Sequence, residues 1–96
     1  MELSERIYNG DRANEVLENE AFNAAFDAIE TEVINTWKLS PARDEVGREK
    51  CWVYLMLLQK VKTQLTSTLE SGKLAKLDLQ HQQSIKDRAK ALVGWN

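Results

Sequence analysis

Apolar residues recur along most of the chain at steps of three and four, and no stretch alternates as a strand would. From Arg12 to Leu39 the positions Phe22, Ala25, Phe26, Ile29, Val33 and Trp37 fall on one helical face, with Asp27, Glu30 and Thr31 opposite. A second periodic stretch runs from Pro41 to Ser71, and a weaker one from Lys73 to Val93 puts Leu74, Leu77, His81, Ile85 and Leu92 on one side. The pattern predicts an all-α fold.

Breaks are expected where backbone chemistry allows them. Gly10, within Asn9-Gly10-Asp11, can close a short helix begun near Leu3, and Asp11 can cap the next. That next helix is expected to bend near Glu18-Asn19-Glu20. Ser40-Pro41 reads as an N-cap followed by a proline at the first helical position, and Gly72 as a C-terminal stop. Short connections then make successive helices antiparallel neighbours. The expected architecture is an elongated antiparallel hairpin, or a three-helix bundle with a short N-terminal helix, in a single domain over residues 1–96.

Within the 41–71 helix the run from Cys51 to Leu58 carries no charge, more apolar surface than one core-facing stripe needs. Helical spacing divides it. Cys51, Tyr54, Leu55, Leu57 and Leu58 join Val61, Leu65 and Leu69 as a core stripe, and Gly47 on that stripe suggests close approach of another helix. Trp52 and Met56, with Val53 at the edge, lie on the other side among Arg48, Glu49, Gln59 and Lys60. Aromatic residues and Met are enriched at interface centres, so these three are the candidate interface. A segment of the same chain, a second copy or another partner could cover them.

Length sharpens this point, because a chain of 96 residues has a thin core and oligomerisation is one remedy. A homo-oligomer is expected. With 43% hydrophobic and 29% charged residues the chain reads as folded and soluble, with no run long enough to span a bilayer. One cysteine allows no internal disulfide, and Met1–Arg6 leads into no signal-like apolar segment, so a cytoplasmic setting is expected.

Charge is uneven. Residues 1–40 hold nine acids and three bases, whereas residues 41–96 hold six acids and ten bases. Pairing within a hairpin is the simplest use of that asymmetry; contact between copies, or with an acidic partner, is the other. The basic residues Lys73, Lys76, Lys86, Arg88 and Lys90 come without a helix-turn-helix pattern or interleaved aromatics, so nucleic acid is an improbable partner.

Candidate chemistry is sparse. Cys51 and His81 are the lone residues of their types, too few for a zinc cluster; they are expected on different helices. Should His81 meet acids across an interface, assembly would respond to pH. The pairs Glu18/Glu20 and Glu30/Glu32 are two residues apart, which points them to different sides of a helix and excludes a general acid/base pair. Arg43 and Arg48, near the start of the third helix, are candidate anion-binding residues beside free backbone N–H groups. Neither a phosphate-binding loop nor a cofactor motif occurs, and no enzyme is expected.

Glu5–Ala13, Trp37–Asp44 and Gly47–Lys50 together resemble segments of small, mostly uncharacterised helical proteins of tailed bacteriophages. The resemblance implies expression in a bacterial host cytoplasm and a role as a structural or assembly component, in the virion or outside it. It also implies two alternatives, an inhibitor of a host protein and a sponge for a host-defence nucleotide signal. The latter would draw on Arg43, Arg48, Trp52 and Tyr54. It carries over no site residue.

Overall fold

A computed structural model describes residues 1–93 and contains three helices: α1 (Leu3–Leu17), α2 (Glu20–Leu39) and α3 (Glu45–Val93). The expected all-α hairpin is present, but its punctuation differs. Gly10 does not end a helix and Asp11 does not begin one; both lie inside α1. The anticipated bend at residues 18–20 is a full break. Asn19 caps α2, its Oδ1 accepting the Phe22 N–H at 2.8 Å, while Asn23 Nδ2 donates to the Leu17 carbonyl at 2.8 Å and holds the end of α1.

Ser40-Pro41 does not start α3. Ser40 Oγ donates to the Trp37 carbonyl at 2.6 Å, so its hydroxyl finishes α2. The N-cap role falls to Asp44, whose Oδ1 accepts the Gly47 N–H at 3.0 Å. Gly47 therefore answers to its own cap. A Cβ there would run into the Asp44 carboxylate.

Gly72 does not stop α3, which continues through it for 49 residues. Both glycines serve one contact, where α1 crosses α3. A Cβ built on either would lie 2.8 Å from the Cα of the other, and the Thr68 and Arg6 carbonyls stand 3.3 and 3.0 Å from the Gly10 and Gly72 positions. Only a missing side chain on each permits this approach. Beside the crossing, Arg6 donates from Nε to Ser71 Oγ at 2.9 Å and from Nη2 to the Ser71 carbonyl at 3.1 Å.

α2 runs antiparallel to α3, as its pairings show: Trp37 meets Arg48, Val33 shares a groove with Tyr54 and Leu58, and Lys62 Nζ sits 4.4 Å from the Phe26 ring centroid. The two short helices thus take successive seats along α3, α2 beside residues 48–62 and α1 beside residues 68–76. From Leu77 to Ala91 every residue is exposed, a bare stretch about 22 Å long.

The buried core is accordingly small: Ala13, Phe26, Cys51 and Ala75, with Gly10 and Gly72. The radius of gyration is 22.0 Å, where a compact chain of this length would have about 12.5 Å. Accessible surface is 7718 Å², against about 5600 Å² for a globular monomer of the same mass.

Candidate functional site

The expected core stripe of α3 is only half covered. Cys51 is buried, and Leu55, Leu58, Leu65 and Leu69 are partly so, because α2 and α1 pack on that side. Tyr54, Leu57 and Val61 remain 52%, 54% and 47% exposed. Together with Ile29 and Val33 of α2 they line a groove of about 490 Å³, to which Glu32 and Thr36 add polar side chains. A shallower depression adjoins it at Leu57 and Val61, lined also by Lys60, Gln64 and Leu65.

Helical spacing explains the vacancy. Tyr54, Leu57, Val61, Thr68, Gly72 and Ala75 follow one another at three-, four- and seven-residue steps, so they form one strip on α3. α1 crosses that strip at Thr68 and Gly72, and Ala75 is fully buried. Along Tyr54–Val61 no described helix takes its place. Sequence reasoning counted these three residues as core because periodicity reports which face is apolar, not whether a partner lies on it.

Trp52, Val53 and Met56 are exposed at 60%, 40% and 41%, on the flank of α3 away from Cys51. Neither α1 nor α2 folds over them. Around Cys51–Val61 the chain thus bears two apolar surfaces, the groove and the Trp52–Met56 flank, and the expected row of Leu74, Leu77, Ile85 and Leu92 is exposed further along α3.

The two candidate anion-binding arginines are not brought together for that task. Arg48 Nη1 donates to Ser40 Oγ at 3.0 Å and to the Trp37 and Ser40 carbonyls at 3.3 and 3.4 Å, and its guanidinium stacks 4.7 Å from the Trp37 ring centroid. It adds a donor at the end of α2, where the Trp37 carbonyl already accepts from the Ser40 hydroxyl and N–H. Arg43 is exposed in the Pro41–Asp44 loop and, among the described residues, makes no hydrogen bond or ion pair.

Cys51 and His81 stand on the same helix, not on different ones. Thirty residues of α3 separate them, about 45 Å, so they cannot meet within the chain. Among the described residues no three His, Cys, Asp or Glu side chains gather as metal ligands would. Charge pairing between the two halves is equally sparse: among the described residues, Lys76 Nζ to Asp11 Oδ1 at 2.8 Å is the ion pair that joins them. No described helix is long and apolar enough to cross a membrane.

The fold and its surfaces define an all-α helical-hairpin protein with an open apolar groove. No family model, curated protein or solved structure matches the chain.

Proposed function

We propose that this chain acts by binding and not by catalysis, as a self-associating helical component of a larger assembly. One observation carries the reading: the chain exposes about 2100 Å² more surface than a globular monomer of its mass. Exposed apolar side chains contribute to it, among them those of the groove and of the Trp52–Met56 flank. Surfaces of this kind mark contact sites.

A structural or assembly role suits such a molecule, because two apolar surfaces on one rod let a copy contact more than one neighbour. The resemblance to small phage proteins supplies a setting, the cytoplasm of an infected host or the virion, and the free thiol of Cys51 is compatible with the former. The engagement of Arg48 in the α2 cap removes one of the groups a nucleotide site would need.

Sedimentation equilibrium or light scattering tests self-association. The expected mass is at least twice the 11.0 kDa of the chain at micromolar concentration. A mass of one chain up to hundreds of micromolar refutes the proposal.

A further inference from the structure

We infer that the bare half of the α3 strip is the seat of a second copy of this chain, docked hairpin to hairpin so that α2 of each copy lies on α3 of the other. The inference rests on the self-association proposed above and adds the surface and its occupant. It moves the primary contact from Trp52 and Met56 to Tyr54, Leu57 and Val61.

Three observations converge. The first is the strip itself: the surface of α3 that α1 covers at Thr68–Gly72 is apolar and uncovered at Tyr54–Val61, so a helix is accommodated in one half and missing from the other. The groove is also flanked by two antiparallel helices, and adding a second such pair makes a four-helix bundle.

Area is the second. An obligate interface of about 2000 Å² in total removes about 1000 Å² from each chain, so the surplus of about 2100 Å² per chain leaves room for one such contact besides the exposed Leu77–Ala91 stretch. A face that meets its own copy satisfies both chains with one patch.

Charge chooses the orientation. α2 holds Glu20, Asp27, Glu30 and Glu32 against Lys38, whereas α3 from Glu45 to Leu65 holds Arg48, Lys50, Lys60 and Lys62 against two acids. Glu32 lines the groove on the α2 side and Lys60 borders the strip on the α3 side, and among the described residues no ion pair engages either one. Laying α2 on the partner's α2 would oppose acids to acids. Laying it on the partner's α3 brings the acidic helix to the basic rim.

The test compares full-length variants by sedimentation and circular dichroism. Leu57→Asp is expected to raise the concentration at which the dimer half-dissociates by at least about 100-fold while helical content holds, because the charge is placed at the centre of the contact in both copies. Trp52→Glu with Met56→Lys is expected to leave that concentration within about threefold. Should Leu57→Asp fail to fold, cross-linking decides: full-length Ile29→Cys mixed with full-length Leu57→Cys is expected to give a mixed disulfide dimer, with little dimer of Ile29→Cys alone. A wild-type chain that stays monomeric overturns both the inference and the self-association beneath it. An oligomer that survives Leu57→Asp but disperses on the Trp52/Met56 change overturns the inference alone. Predominant Ile29-to-Ile29 cross-links overturn the orientation.

Discussion

Replacing Gly10 or Gly72 by alanine puts a methyl carbon 2.8 Å from a backbone Cα of the opposite helix. Carbon atoms rest at about 3.5–4.0 Å, so the two axes must part by roughly 1 Å. The obstacle is main chain on both sides and cannot rotate away. Overpacking of this kind costs about 1–3 kcal/mol, while alanine returns up to about 1 kcal/mol of helix propensity. The sum is a net loss of about 1–2 kcal/mol for either variant, since separation at the crossing also loosens Ala13, Ala75 and the Arg6–Ser71 bonds. The double variant is expected to lose less than the two singles added, because both act on one gap and the first opens it for the second. Urea unfolding followed by circular dichroism measures this, with every variant at the same chain concentration because assembly shifts the midpoint. If either alanine raises stability by the propensity gain alone, α1 does not cross α3 at these residues.

Other consequences can be measured on the same chain. Asn19→Ala removes the acceptor of the Phe22 N–H and is expected to cost about 1 kcal/mol, as is Asp44→Ala at the start of α3. Urea midpoints equal to wild type would refute either cap. Arg48→Met keeps an apolar stem near Trp37 but removes the guanidinium bonds to Ser40 and Trp37, leaving the Trp37 carbonyl only its Ser40 donors; a loss of about 1 kcal/mol and a shift in tryptophan emission are expected. Lys76→Ala should change stability by less than about 1 kcal/mol, the range of an ion pair whose side chains are half exposed. In hydrogen exchange, amides of Leu77–Ala91 are expected to exchange well before those of Cys51–Leu69, since an unpacked helix of this length is marginal in water. Equal protection would mean that assembly covers the stretch as well.

Class and hairpin were legible in the sequence because the three- and four-residue periodicity of Phe22–Trp37 and Cys51–Leu69 reports one apolar face per helix, and two such faces must meet. The ends of the helices were less so. Gly10 and Gly72 were expected to terminate helices, and the same missing side chain that permits a left-handed turn also permits two helices to touch; local pattern does not separate the two uses. Ser40 was expected to cap α3, yet a serine hydroxyl can donate to the preceding turn as readily as accept from the following one. Asp44, three residues before Gly47, offered the better acceptor. Around the candidate interface, Trp52 and Met56 stood out as apolar residues in a polar field. Tyr54, Leu57 and Val61 did not, because whether an apolar face is covered depends on where a partner helix ends.

The unbroken run of α3 makes it a ruler for the rest of the chain. α2 and α1 are joined by two residues, Glu18 and Asn19, and each must land at its own mark on the same rod. One residue inserted between Lys62 and Thr68 would advance the α1 seat by about 1.5 Å and turn it by about 100°, carrying Gly72 away from Gly10. Seven inserted residues would nearly restore the angle but lengthen the gap by about 10 Å, more than that short link can span without unwinding a helix end. Between its two seats the rod has a fixed length, while past Lys76 it can grow or shrink without disturbing either mark.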